Sequence, residues 1–442
     1  MPPGSDDLQG LRADFPALDR RRRDRPPIYL NNACSTLRPR SVIEAISRYY
    51  AEFPTCGGGR LAAPERLHNW FAEDLRDHEL EARARVATLL GAEAPDEIVW
   101  TRNTTESINL VARSYGLVPG DEILNGENEH NSNLVPWLEV ERRLRRLAGD
   151  EDLVVRRYFE LTEDGSFDRE AALAAIGPNT RIVSITHASN LDGAVIPDAD
   201  VRALADRVHQ VGGVLLLDAA QTVPHRPIDV QALGVDFLAF SLHKMCGPTG
   251  LGVLYGRRAA LARLRPYLVG GDAVEDVWQT RVEYKEPPYR FEGGIQHYAG
   301  MLGATAALAY VQSDAGLERI QRHERALAGT LLERLRPLEC DHFWLLGPED
   351  PRLRSGIVTM ASSLGSVVNA IERLADEEAN VMLRKGMFCN NAYLHQRFDR
   401  AGTAKNNLRA SVYLYNTEDE CEQLCRIVER VVKDPLQFMD DA

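Results

Sequence analysis

Apolar residues recur every three to four positions over residues 40–53 and 69–90, the pattern of helices with one buried face. From about residue 97 the pattern changes to short apolar runs separated by amphipathic stretches. The runs fall at 97–100, 122–124, 153–155, 181–185, 214–217, 237–240 and 252–255. Several are apolar at consecutive positions, as expected of strands covered on both faces. Strands alternating with helices predict an α/β fold with a mainly parallel seven-stranded sheet and right-handed crossovers. In such sheets the chemistry collects at the carboxyl ends of the strands.

A break at Arg290-Phe291-Glu292-Gly293-Gly294 precedes a long helical stretch, 299–335. The remainder mixes β runs (356–360, 408–414) with helices such as 418–432, which predicts a smaller α+β C-terminal domain. The expected organisation is an N-terminal arm at 1–25 packing on the small domain, a large domain at 26–295 and a small domain at 296–442. There is no internal repeat and no low-complexity tract.

The 442 residues carry 65 acidic and 52 basic side chains, a formal charge of −13, which argues against a nucleic-acid partner. The basic run at 20–25 reads as a solvated segment ahead of the first strand. No run of about 18 apolar residues is present, and the N-terminus lacks the apolar stretch of a secretory signal, so no membrane partner is expected. Seven scattered cysteines fit reduced thiols and a cytoplasmic location better than a disulfide framework. Cys421 and Cys425 lie one helical turn apart, but with no second ligand pair no metal is expected.

Lysine is scarce. Only Lys244, Lys285, Lys385, Lys405 and Lys433 occur, and arginine carries the other basic positions. Lys244 follows an apolar run and precedes a Gly/Pro turn, in Ser241-Leu242-His243-Lys244-Met245-Cys246-Gly247-Pro248. A lysine at a strand end can lose its proton and attack an aldehyde, which arginine cannot do. Asp218 closes the run at 214–217, where a carboxylate needs a cation; a protonated pyridine nitrogen would serve, and Asp218 also suits a helix N-cap. Gln221 lies three residues on, within reach of a cofactor's phenolic oxygen. Thr101-Arg102-Asn103-Thr104-Thr105-Glu106 opens a helix whose free N–H groups and hydroxyls suit an anion, and Asn103 and Glu106 have capping-box spacing. His130, in Asn128-Glu129-His130-Asn131, falls at the same sheet edge, where an imidazole can stack on a ring and assist proton transfer.

Taken together these residues resemble the cysteine desulfurases of the class V aminotransferase family, from about Tyr29 to the C-terminal helix. The resemblance implies the type I fold of pyridoxal-phosphate-dependent transferases, a homodimer with active sites near the interface, a small amino-acid substrate and a sulfur-acceptor protein. It implies pyridoxal 5'-phosphate as cofactor, with Lys244 as the Schiff-base lysine and proton shuttle, His130 as the stacking histidine and Asp218 as the partner of the pyridine nitrogen. Thr105, Ser241 and His243 match phosphate ligands, Thr104 a cofactor contact, and Gln221 and Asn190 match contacts to the phenolic oxygen or substrate. Arg409, in Leu408-Arg409-Ala410-Ser411, resembles the arginine that grips the substrate carboxylate. Arg384-Lys385-Gly386-Met387-Phe388-Cys389 aligns with the loop whose thiolate takes sulfur from cysteine, leaving alanine and a persulfide; Arg384 and Lys385 would favour the thiolate of Cys389. Cys34 and Cys246 are weaker nucleophile candidates.

Three departures mark the pocket. Met387 and Phe388 stand where the family carries polar residues or histidines, Gly294-Ile295 replaces Gly-Thr, and Gly57-Gly58-Gly59-Arg60 replaces an Arg-Gly-x-His pattern. A C–S lyase working by β-elimination, or an epimerase or other tailoring enzyme of the same fold, therefore remains the alternative. A nucleotide-dependent oxidoreductase is disfavoured because no G-x-G-x-x-G follows the first β run. A non-catalytic sulfur-relay scaffold would have no need of Lys244, His130, Asp218 and Arg409 together.

Overall fold

The computed structural model describes residues 8–56, 69–398 and 403–438. A short strand, β1 (Ile28–Tyr29), precedes the central sheet of β2 (Ile98–Thr101), β3 (Glu122–Gly126), β4 (Arg156–Phe159), β5 (Thr180–Thr186), β6 (Val214–Asp218), β7 (Phe237–Ser241) and β8 (Gly252–Gly256). Their spatial order is β2-β8-β7-β6-β5-β3-β4. Neighbours from β7 to β4 pair in parallel, while β8 is antiparallel to β7 and β2. The chain between β7 and β8 holds only a short 3-10 turn and a Gly/Pro loop, too little for a crossover helix, so β8 returns antiparallel.

Alternation along the strands explains their unbroken apolar runs. Leu215, Leu217, Leu238 and Phe240 join one core, and Val214, Leu216, Phe237 and Ala239 the core on the opposite face. The expected run at 153–155 lies one step off. The strand is Arg156–Phe159, an edge strand whose Arg157 and Tyr158 face solvent, so polarity hides it. Val155 is buried and contributes its carbonyl to the Ile123 N–H at 2.7 Å.

Beyond the central sheet come a hairpin of β9 (Val274–Trp278) and β10 (Arg281–Tyr284), then β11 (Phe343–Leu346), β12 (Ile357–Ser362), β13 (Val381–Met382), β14 (Arg384–Lys385) and β15 (Asn407–Ser411). A four-stranded antiparallel sheet, β11-β12-β15-β14, packs with the helices Leu317–Leu335, Gly365–Ala379 and Glu418–Lys433, and β1 pairs in parallel with β13 beside it. Cys421 and Cys425 are buried in this core; among the described residues no group of His, Cys, Asp or Glu is arranged to hold a metal ion.

The long helix expected at 299–335 is divided. Tyr298–Ala309 gives way to a wider turn, Tyr310–Ala315, and Gly316 takes a left-handed φ of 77° before Leu317–Leu335 begins. Tyr298, Met301 and Leu302 are buried with the core of the large sheet, and their helix packs on Arg40–Glu52 and Trp70–Leu90. Helix Trp70–Leu90 is clamped by Arg83, which donates to Glu292 at 2.9 and 3.0 Å and to Glu79 at 2.9 Å, all three side chains buried.

At the N-terminus Leu8, Phe15 and Leu18 join the large core, Phe15 packing against Tyr310 and Tyr415. Arg12 donates to the Tyr415 carbonyl at 2.6 Å and pairs with Glu420 at 2.7 Å. The basic run, expected to be merely solvated, clasps the end of helix Gly365–Ala379: Arg22 pairs with Asp376 at 2.7 Å, and Arg25 donates to the Glu377 carbonyl. Among the described residues no helix is long and apolar enough to cross a membrane.

Candidate active site

At the carboxyl ends of β5, β6 and β7 lies a cleft of about 290 Å³ that also receives the small sheet. Asp218 is the last residue of β6, Ser241 the last of β7, and Lys244 ends the 3-10 turn that follows. Asn103 caps the helix Thr104–Ser114 by accepting from the Glu106 N–H at 2.9 Å. The reciprocal half of the capping box is absent, because Glu106 turns to Arg102 instead. His130 caps helix Asn131–Ala148, its Nδ1 accepting from the Ser132 N–H at 3.0 Å. Arg409 comes from β15, and Cys389 from the loop between β14 and helix Asn391–Phe398.

All the residues singled out from the sequence line this cleft: Thr104, Thr105, His130, Asn190, Asp218, Gln221, Ser241, His243, Lys244, Cys389 and Arg409. Cys34 lines it too, while Cys246 is buried beside it, its thiol pushed up to about 12 by burial. Thr104 Oγ1 and Ser241 Oγ share a hydrogen bond of 2.7 Å, and Thr105 Oγ1 meets Ser132 Oγ at the same distance, so four hydroxyls are clustered at the helix start. Asn103 and Arg384, read from the sequence as a helix cap and as a cation beside Cys389, line the cleft as well; Ser132 and Thr186 also line it and were given no role, Ser132 carrying the one signal, two residues after His130.

Burial dominates the electrostatics. It lowers the Lys244 ammonium from its ordinary value, with Asp218 acting in the opposite sense, and it raises Asp218, with Lys244 opposing. Burial, then the cations of Lys244 and Arg409, push His130 down to about 3, so the ring is neutral near pH 7. Since Nδ1 accepts from Ser132, the ring proton sits on Nε2. His243 is held near 4 by burial and Lys244, and burial brings Arg409 to about 10. Glu129, bonded to the Thr186 N–H at 3.0 Å and to Asn133 Nδ2 at 2.6 Å, is pushed up to about 8 by burial; sequence gave no sign of it.

Asn190 lines the cleft, its Nδ2 donating to the Phe388 carbonyl at 2.7 Å and its own carbonyl accepting from Arg409 NH1 at 2.7 Å. It ties the Cys389 loop to β15. Lys385, expected to act on the Cys389 thiol, pairs with Glu372 at 2.7 Å, its place on β14 drawing it to the outer helix. Phe388, the apolar departure, is buried beneath Arg409, whose guanidinium lies 4.7 Å from the ring centre. Ile295 is 73% exposed, and the Gly57–Arg60 departure lies outside the described residues.

The donor set fits pyridoxal 5'-phosphate. Asp218 is buried and takes one N–H, from Ala220 at 3.0 Å, leaving it able to face a ring N–H cation. The Gln221 Oε1 and Arg409 Nε atoms are buried without partners. Lysine, acid, stacking ring and hydroxyl cluster thus surround one space.

Known proteins share this sequence and fold over nearly the whole chain. The sequence profile of the family aminotransferase class-V matches residues 28–424. A cysteine desulfurase of Haloferax volcanii is 36% identical over 445 residues, covering 96% of each chain. Among solved structures, the apo cysteine desulfurase of Thermococcus onnurineus superposes with a TM-score of 0.83 at 30% identity, over 96% of this chain and 98% of that one. The Escherichia coli cysteine desulfurase CsdA, solved as an S-sulfonic acid, gives a TM-score of 0.79 at 31% identity, over 97% and 98%. By fold, by profile and by full-length similarity, this chain belongs to the aminotransferase class-V family.

Proposed function

We propose that the protein is a pyridoxal-phosphate-dependent cysteine desulfurase that takes sulfur from L-cysteine onto Cys389 and releases alanine. The observation that carries this reading is an exposed Cys389 on the wall of the cleft that holds Lys244 and Arg409. Lys244 would hold the cofactor covalently, Asp218 would face its ring nitrogen, His130 would lie on its ring, and the hydroxyls of Thr104, Thr105, Ser132 and Ser241 would meet its phosphate. When bound, the cofactor supplies an electron sink for charge developing at the substrate Cα.

The chain's own residues do the rest. Arg409 binds the substrate carboxylate through its unspent N–H groups. Lys244, its amine favoured by burial, takes the Cα proton. The neutral His130 ring donates through Nε2–H while covering one face of the site. The Cys389 thiolate attacks the substrate sulfur; an S–S bond forms, the C–S bond breaks, the carbon side keeps the electron pair and takes a proton, and alanine leaves. Elimination to pyruvate and ammonia would need no thiol here, and Cys389 is held in a left-handed conformation (φ 62°) by Asn131 N–H donating to its carbonyl at 2.6 Å. Replacing Cys389 with alanine should abolish alanine formation from cysteine; undiminished turnover would refute the reading.

The division into arm, large and small domains is part of this proposal, supported by the separate cores of the two sheets, but the arm's Leu8, Phe15 and Leu18 and the helix Tyr298–Ala309 go with the large core rather than the small one. So is a homodimer. Leu268, Val269 and Ile295 are exposed together, with Gly294 N–H bonded to the Gly271 carbonyl at 2.7 Å, beside the helix start that would hold phosphate. Val277 and Trp278 of the hairpin are exposed as well. A cytoplasmic location is supported by seven free cysteines, and the exposure of Cys389 suits delivery to an acceptor protein.

A further inference from the structure

Cys389 shares its cleft with a second exposed thiol, Cys34. The turn that carries Cys34 is fixed on both sides. Asn32 Nδ2 donates to the Ser411 carbonyl at 2.7 Å, Ala33 N–H to Ser411 Oγ at 2.9 Å, and Gln221 Nε2 to the Ala33 carbonyl at 2.7 Å. Ser411 and Arg409 are two apart on β15 and share a face of the strand, so the turn is seated on the face that carries the guanidinium, and Cys34 and Arg409 line the same cleft. Arg409 is itself 3% exposed, and its Nε, bonded to nothing, is buried in the wall between the turn and the Cys389 loop. A buried guanidinium with an unspent N–H calls for an anion, and a carboxylate held there would present its side chain in the space both thiols line. Lys244 and Arg409 line the same space as Cys34 and Cys389, so both thiols open onto the same two cations.

We infer that Cys34 is a second sulfur carrier, which takes the outer sulfur from the Cys389 persulfide inside one active site. The inference rests on the desulfurase reading. The Cys34 thiolate attacks the outer sulfur; the bond from that sulfur to Cys389 Sγ breaks, a new S–S bond to Cys34 Sγ forms, and Cys389 leaves with the electron pair as a thiolate. The transferred sulfur keeps its oxidation state, so no outside oxidant or reductant enters. A persulfide extends the reach of Cys389 by about 2 Å, the length of an S–S bond. Cys389 is then free for another substrate while the first sulfur waits on the braced turn.

The test loads holoenzyme with about two equivalents of ³⁵S-labelled L-cysteine per subunit, without reductant or acceptor, traps with iodoacetamide and maps the labelled peptides over time. The relay predicts label on Cys389 first and on Cys34 later, with alanine approaching about two per subunit. Cys34→Ala, or the near-isosteric Cys34→Ser should the first fold poorly, should leave label on Cys389 alone and halve the alanine. Label confined to Cys389 in the unmodified enzyme overturns the relay and leaves the desulfurase reading standing. Label on Cys34 in Cys389→Ser overturns it too, since Cys34 would then take sulfur directly from substrate. Neither alanine nor label on either thiol would overturn both.

Discussion

The guanidinium of Arg409 lies 4.7 Å above the ring of Phe388, and NH1 of the same side chain donates to the Asn190 carbonyl, whose amide in turn holds the Phe388 carbonyl. The residue placed to bind substrate and the residue preceding Cys389 are thus one packed unit. Lysine can supply the charge at 409 but neither the planar stack nor the forked contact. Arg409→Lys should raise KM for cysteine on the order of 100-fold, about 2.7 kcal/mol, with a smaller change in kcat. Steady-state kinetics over a wide cysteine range would check this, and an unchanged KM would remove Arg409 from the carboxylate site.

The amine at 244 offers a pH prediction with a definite sign. Burial lowers its pKa below the ordinary lysine value, while Asp218 raises it. The nucleophilic, unprotonated form therefore gains population as pH rises, with a midpoint below 10.5. Asp218→Asn withdraws the raising influence, so the midpoint should move to still lower pH. The rate of cofactor capture by apoenzyme, followed by absorbance between pH 6 and about 10, reads both midpoints; an alkaline shift in the variant would contradict the arrangement.

Stability should depend on the buried clamp around Arg83. Removing the cation takes the counter-charge away from two buried carboxylates, Glu79 and Glu292. Arg83→Met should cost about 3–5 kcal/mol in denaturant unfolding. Arg83→Lys should recover only part, because one ammonium cannot span both oxygens of Glu292 and also reach Glu79.

The seven thiols should fall into two classes. Cys34, Cys56, Cys340 and Cys389 are exposed, while Cys246, Cys421 and Cys425 are buried. Burial raises all three buried thiols, Cys246 and Cys425 to about 12. A thiol reagent at pH 8 should therefore modify four positions in the native protein and the other three only after unfolding. Rapid native modification of Cys246 would show that the turn after Lys244 opens.

Much of this was legible because strands covered on both faces must be apolar at consecutive positions, and because a lysine among arginines stands out. The strand end at Asp218 followed from those runs, and Lys244 and His130 from their places at strand ends, whereas Asn190, His243, Cys389 and Arg409 were named only through the resemblance. What stayed hidden depends on contacts that local pattern does not encode. Edge strand Arg156–Phe159 is polar because solvent, not core, lies against it. The antiparallel return of β8 is set by the length of one turn, and the split after Ala309 by a single left-handed glycine. Lys385 is near Cys389 in sequence but is drawn away by Glu372, and Glu129 acquires its raised pKa only from long-range burial.

The central claim concerns the fate of one sulfur atom. Holoenzyme mixed with L-cysteine, trapped early with an alkylating reagent and digested, should yield a Cys389 peptide heavier by about 32 Da, one added sulfur, together with alanine. Pyruvate and ammonia, with Cys389 recovered as an unmodified thiol, would contradict the account.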